Sequence, residues 1–164
     1  MEHKKNIELK FATVNDIPLI LSLIKALADF EKLSDQVVAT EDVLKEQLFS
    51  DKPKAEVIIC YVEGNAVGFA LFFHNFSTFL GRAGIYLEDL YVMPEYRGQG
   101  VAKKVLVFLA KLAISRKCGR LEWSCLDWNT KAIDFYLSLG AIKMDEWTQY
   151  RVTGKNLINL AEIV

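Results

Sequence analysis

The stretch Tyr91-Val92-Met93-Pro94-Glu95-Tyr96-Arg97-Gly98-Gln99-Gly100-Val101-Ala102 concentrates the residue types that bind an anion. An apolar strand signal stops at proline, a turn with two glycines follows, and a long amphipathic helix begins. The first N–H groups of such a helix have no intrahelical acceptor, and the helix dipole favours negative charge beside them. Small residues at Gly98, Gly100 and Ala102 let a pyrophosphate approach the backbone closely, and Arg97 adds positive charge. Two familiar phosphate motifs are excluded. A dinucleotide fingerprint needs a third glycine where Lys103 stands, and no GxxxxGK followed by Ser or Thr occurs. Taken alone, Gly-x-Gly also suits a plain strand-to-helix turn.

Proton chemistry has two candidates. Glu88 lies inside an apolar strand signal, and period-two alternation puts it on one face with Leu90 and Val92, with Asp89 on the other. Apolar surroundings desolvate a carboxylate and tune it towards a general base; a structural or surface carboxylate is the alternative. Tyr136 shares helical spacing with Ala132 and Ile133. Its phenol can donate a proton, and it equally suits core packing. The three cysteines (Cys60, Cys118, Cys125) and two histidines (His3, His74) form no CxxC and no histidine pair, so neither a metal site nor a disulfide scaffold is expected. An odd, sparse cysteine count fits a reducing cytosol. Met1-Glu2-His3-Lys4-Lys5 leads into no apolar run, so no signal peptide is expected and the location expected is cytoplasmic.

Lys and Arg number 20 against 21 Asp and Glu, a net charge of −1, which argues against nucleic acid as the main partner. Apolar runs such as Ala66 to Phe73 are too short to span a membrane. A length of 164 residues predicts one domain, 1–164. The elements expected to position the candidates begin with a strand at Ile7 to Ala12. A Thr13/Asp16 capping box leads into a helix with Pro18 in its first turn, ending near Phe30. Thr40 caps a second helix through Leu44 and Leu48. Val57 to Val62 and Val67 to Phe73 form a hairpin around Glu63-Gly64-Asn65. A loop at Asn75 to Gly84 precedes a strand at Ile85 to Met93. The long helix runs from Gln99 to Arg116, with Gly119 as its left-handed cap. A strand at Leu121 to Leu126 follows, then a helix capped by Asn129 and closed at Gly140, then a last strand at Glu146 to Val152. The order is that of an α/β protein with a mixed, partly antiparallel sheet.

Arg97-Gly98-Gln99-Gly100-Val101-Ala102 resembles the R-x-x-G-x-G/A acetyl-CoA loop of the GNAT N-acetyltransferase superfamily. Asn129-Thr130-Lys131-Ala132-Ile133-Asp134-Phe135-Tyr136-Leu137-Ser138-Leu139-Gly140-Ala141 resembles its second signature, in the expected order and separation. The segments 26–37, 86–100 and 126–129 are similar to the diamine acetyltransferase family, which includes spermidine/spermine and thialysine N-acetyltransferases. The resemblance implies the GNAT fold, a mixed, mostly antiparallel twisted sheet flanked by helices, with strands splayed at an acetyl-CoA cleft. It implies direct transfer of acetyl from acetyl-CoA, in a ternary complex, to a primary amine of a small polyamine, diamine or thialysine-like substrate. An amine with a lysine-like pKa of ~10.4 is neutral in only about one molecule in 10³ at pH 7, so a proton must leave before attack.

The resemblance implies Glu88 as base through ordered water and Tyr136 as acid to the departing sulfur. It implies cofactor contacts from Leu90, Tyr91 and Val92, from Arg97, Gly98, Gln99, Gly100, Val101, Ala102 and Lys103, and from Asn129, Thr130, Lys131 and Ala132. For the acceptor it points to Phe30, Glu31, Glu88, Glu122, Trp123, Ser124 and Glu146. It implies a homodimer and no metal. Two departures weaken the case for long polyamines: Ser77-Thr78-Phe79-Leu80-Gly81 lacks the Asp and Trp of polyamine-preferring members, and the tail from Met144 is short. A protein or peptide amine, an aminoglycoside, or a non-catalytic acetyl-CoA-binding module remain as alternatives; a pure binding module needs neither Glu88 nor Tyr136. The near-zero net charge then predicts a basic phosphate end (Arg97, Lys103, Lys104) opposed to an acidic amine end (Glu31, Glu88, Glu146).

Overall fold

The computed structural model describes residues 5–163. The chain falls into two compact units divided after Ser124. The first is built on a five-stranded sheet in the order β1 (Ile7–Phe11), β2 (Glu56–Val62), β3 (Asn65–Ser77), β4 (Arg82–Val92) and β5 (Leu121–Trp123). β1 to β4 pair antiparallel and β5 joins β4 in parallel, so the expected mixed, mostly antiparallel sheet is the one observed.

Along β2, Val57, Ile58, Ile59 and Cys60 are all buried. Successive strand side chains point to opposite faces, so a run without polar alternation needs cover on both. α1 (Ile17–Phe30) and α2 (Glu41–Phe49) cover one face: Ile17, Ile20, Leu23, Leu44 and Leu48 pack with Val57, Ile59, Phe69 and Tyr91. α3 (Val101–Ser115) contributes buried Val101, Val105, Leu106 and Leu109. The Thr13/Asp16 box forms, with the Thr13 N–H donating to Asp16 Oδ2 at 2.7 Å, but it opens a 3-10 turn at Val14–Asp16 that precedes α1. The Thr40 hydroxyl accepts from the Val43 N–H, the cap expected for α2.

Several expectations are corrected. Asn75 to Gly84 is not a loop. β3 and β4 continue pairing through Asn75↔Gly84, Phe76↔Ala83 and Ser77↔Arg82, so the turn shrinks to residues 78–81. Turn-type residues hid the extended strands, whose backbone pairs regardless of side-chain type. The left-handed residue after α3 is Lys117 (φ 57°), not Gly119. At Gly119 a Cβ would sit 2.8 Å from Leu80 Cδ1 and 3.0 Å from Arg82 Cδ, side-chain atoms that would have to shift. Arg116 holds this helix end to β2 through Glu56, at 2.5 and 2.9 Å, and that contact draws the Glu56 carboxyl below its ordinary range. β5 stops at Trp123, short of Leu126.

The second unit contains α4 (Thr130–Ser138), capped by the Asn129 side-chain Oδ1 accepting from the Ala132 N–H, and α5 (Gly154–Ala161). No strand forms at Glu146 to Val152. A strand requires a neighbour to pair its backbone, and this unit holds no strand among its described residues. α5 was not expected, although Leu157, Ile158 and Ala161 carry helical spacing. Among the described residues no helix is long and apolar enough to cross a membrane.

Gly68 sets how closely β3 approaches β4. It follows Val67, the extra residue of a bulge against β2, and a Cβ there would collide with the Tyr91 carbonyl oxygen. Backbone cannot swing aside as a side-chain tip can, so Gly68→Ala is expected to destabilise the fold by about 3 kcal/mol, the upper range for overpacking. An unchanged urea midpoint would contradict this.

Candidate active site

The register between β3 and β4 slips at one point. Leu87 pairs with Phe72 and Asp89 with Leu71, which leaves Glu88 as the extra residue of a bulge. The bulge resets the alternation beyond it. Asp89 and Tyr91 now pair with Leu71 and Phe69, on the face covered by α1 and α2. Asp89 does stand on the face opposite Leu90 and Val92, as expected, since those two pair with Ala70 and Gly68; Glu88 itself is exposed. Desolvation falls on Asp89 instead. Its burial, then the charges of Glu88 and Glu31, push its carboxyl up to about 6. Burial also raises Glu31, the residue that follows the end of α1. Three carboxylates from two elements thus share one electrostatic field. Alternation puts Asp89 on this face, but sequence could not show that α1 and α2 cover it.

On its other edge β4 pairs with β5 only through Ile85↔Leu121, Tyr86↔Glu122 and Leu87↔Trp123. β4 continues to Val92 while β5 ends, so the main-chain groups of Leu90, Tyr91 and Val92 stand past the end of the neighbouring strand. Two of the expected acceptor residues join a polar row there. Glu122 accepts from Asn75 Nδ2 at 3.1 Å, and the Ser124 and Tyr86 hydroxyls lie 2.7 Å apart, with the Tyr86 ring 5.3 Å from that of Phe73. Tyr86 and Asn75 were not singled out from sequence; the only signal was a polar tip on strands whose pairing was unknown. Trp123 is half-buried opposite Leu87.

Beyond Val92 a 3-10 turn, Pro94–Tyr96, leads to Gly98 (φ 74°) and Gly100 (φ 89°). A Cβ at either would meet open space, so backbone conformation rather than crowding calls for glycine. The first main-chain bond of α3 is from the Lys104 N–H to the Gly100 carbonyl, at 3.0 Å, and the N–H groups of Val101, Ala102 and Lys103 precede it. Gln99 donates to the Glu95 carbonyl and accepts from Lys5 Nζ. The basic end is leaner than expected. Lys104 Nζ donates to the Ile7 carbonyl, and Arg97 Nε donates to the Val92 carbonyl at 2.7 Å, its guanidinium lying over Phe30. Lys103 is exposed.

In the second unit Asn129 is occupied as the α4 cap, with Thr130 and Lys131 exposed and Ala132 half-buried. Burial, with the Cys125 thiol beside it, pushes the Tyr136 phenol up to about 12, so it keeps its proton at neutral pH. Glu146 is exposed in the irregular segment. No cluster of metal-ligating side chains occurs among the described residues.

Residues 23–141 match the acetyltransferase (GNAT) family, a span that takes in both units. The chain is 39% identical to a thialysine N-epsilon-acetyltransferase from Bos taurus, with 93% of this chain and 96% of that protein covered. It is 30% identical to an L-ornithine N5-acetyltransferase from Arabidopsis thaliana, with 94% and 88% covered. Among solved structures, an integron cassette protein from V. cholerae superposes with a TM-score of 0.80 at 28% identity, covering 96% of this chain and 98% of that one. An aminoglycoside N-acetyltransferase in complex with CoA shares the fold at 18% identity and a TM-score of 0.71, with 93% and 98% covered. With its glycine turn at the start of α3 and β4 running past the end of β5, the chain belongs to the GNAT acetyltransferase family and is an acetyl-CoA-dependent N-acetyltransferase acting on amines.

Proposed function

We propose that the acceptor is a small molecule carrying a primary amine and a second charged group, of the thialysine, ornithine or diamine type. The observation that carries this reading is the group of Glu31, Glu88 and Asp89, coupled electrostatically beside the open edge of β4. A cation is the ligand such a field favours. The thialysine and ornithine acetyltransferases among the relatives support the same choice. Long polyamines are less favoured, because the tip at residues 78–81 carries no acidic or tryptophan side chain.

Acetyl-CoA supplies an electrophilic thioester. The open edge at Leu90, Tyr91 and Val92 suits an extended amide-bearing arm, in the manner of an added strand. The N–H groups from Gly98 to Lys103 suit its phosphates, with Arg97 close by. Glu88, exposed and without a place in the β3 register, takes the proton of the acceptor ammonium through water. Tyr136, held neutral, gives a proton to the departing thiolate. Phe30, Glu31, Glu122, Trp123 and Ser124 line the acceptor side. The protein acts as a homodimer: Ile142, Trp147 and Ile163 are 83%, 78% and 75% exposed, and a second copy would remove that apolar surface from water.

The first test is thiol release from acetyl-CoA with thialysine, ornithine, lysine, short diamines, spermidine and an aminoglycoside. Turnover is expected with the first group, and no release with any small amine would overturn the reading. Tyr136→Phe is expected to lower kcat by about 10² to 10⁴; unchanged turnover would remove Tyr136 from the acid role. In solution the mass should be about twice 18.6 kDa by light scattering, and a monomer would refute the dimer.

Asp89 gives a pH prediction. Its folded pKa is raised from 3.8 to about 6, so the folded state binds this proton more tightly than the unfolded chain. Stability is lost as pH rises from about 4 through 6. Asp89→Asn lacks this loss. The stability of the variant relative to the parent should grow by at most about 3 kcal/mol between pH 4 and pH 7.5. A difference that is the same at both values would contradict it.

A further inference from the structure

Arg97 belongs to the phosphate turn, yet its side chain reaches out of it. Nε donates to the carbonyl of Val92, the last residue of β4, at 2.7 Å. The guanidinium carbon lies 4.2 Å from the centre of the Phe30 ring and 5.6 Å from that of Tyr91. Tyr91 is buried in the core, whereas Phe30 is 36% exposed, so the flat guanidinium covers a ring that the core does not. Phe30 is the last residue of α1, and Glu31 follows it.

The helix end that Phe30 closes is a left-handed cap. Lys32 adopts φ 60°, a region that residues with a Cβ rarely enter. The amides of Glu31, Lys32 and Leu33 fold back onto the carbonyls of Leu27, Asp29 and Ala28. Across this cap the Arg97 cation stacks on an aromatic ring, and its hydrogen bond to a strand end ties the two elements together.

We propose that Arg97 is a positioning residue that clamps the end of α1 to the end of β4, holding Glu31 in the field of Asp89 and Glu88. Its effect on turnover rests on the reading of those carboxylates as the acceptor end. The side chain then serves the amine more than the phosphates, although it lies in the phosphate turn. Lysine keeps the charge but has neither the planar face nor Nε–H, so Arg97→Lys separates the two roles.

For Arg97→Lys the KM for the amine should rise about five- to tenfold, with the acetyl-CoA KM changed less than twofold. A raised acetyl-CoA KM with an unchanged amine KM would make Arg97 a phosphate ligand and overturn the clamp. Phe30→Leu removes the ring and leaves the arginine. Its effect on amine KM should not multiply with that of Arg97→Lys, and independent, multiplying effects would overturn the proposal. Amide hydrogen exchange provides a readout that needs no acceptor. Exchange at Glu31, Lys32 and Leu33 should quicken about tenfold in either variant, with α3 unaffected, and no change there overturns the clamp. If exchange responds while the parent protein acetylates no amine, the clamp stands and it is the acceptor reading that fails.

Discussion

Strand β4 has to satisfy backbone hydrogen bonds along two edges, and the chain provides a full-length partner on only one. β3 pairs with it from Arg82 to Val92, while β5 meets only Ile85 to Leu87. Unpaired main-chain groups inside a protein are costly, so an edge left open beyond a short last strand is retained where something else pairs with it. The rest of the candidate site is arranged around that edge. The glycine turn follows its end after the Pro94–Tyr96 turn, the acidic group sits at its bulge, and the polar row of Tyr86, Ser124, Asn75 and Glu122 lies along the stretch that β5 does pair.

The bulge at Glu88 makes the open edge chemically useful. One inserted residue removes Glu88 from the regular pairing and leaves it in water, while Asp89 turns towards the helix-covered face and loses hydration. Two adjacent carboxyls of nearly equal intrinsic acidity are thereby given different environments, and Glu31 adds a third charge from another element. At the glycine turn, Lys104 and Arg97 are engaged by carbonyls of β1 and β4, while Lys103 is exposed and the first N–H groups of α3 have no intrahelical acceptor.

Much of the fold was legible because hydrophobic period and caps are local. α1, α2, α3 and α4, and four of the strands, begin within a few residues of where Thr13, Thr40, the proline-glycine turn and Asn129 place them. What failed was non-local. The extended β3–β4 hairpin looked like a loop because its polar and glycine residues signal a turn, whereas cross-strand pairing determined its length. The strand expected at Glu146 to Val152 had the right composition, but composition does not supply a partner edge. α5, at Gly154–Ala161, lies beyond the last element expected from sequence, although its apolar residues carry helical spacing.

The same division holds for the site. The identity of the chemistry was contained in linear motifs, since a phosphate turn needs Gly98, Gly100 and the following helix in immediate succession, and the run from Asn129 to Ala141 is a contiguous helix with its own cap. Sequence therefore determined the family and the cofactor. Which carboxyl is desolvated, which cations are free and what Arg97 touches were decided only by tertiary structure. Each depends on how strands distant in sequence register against one another, and a slip of one residue exchanges the environments of Glu88 and Asp89.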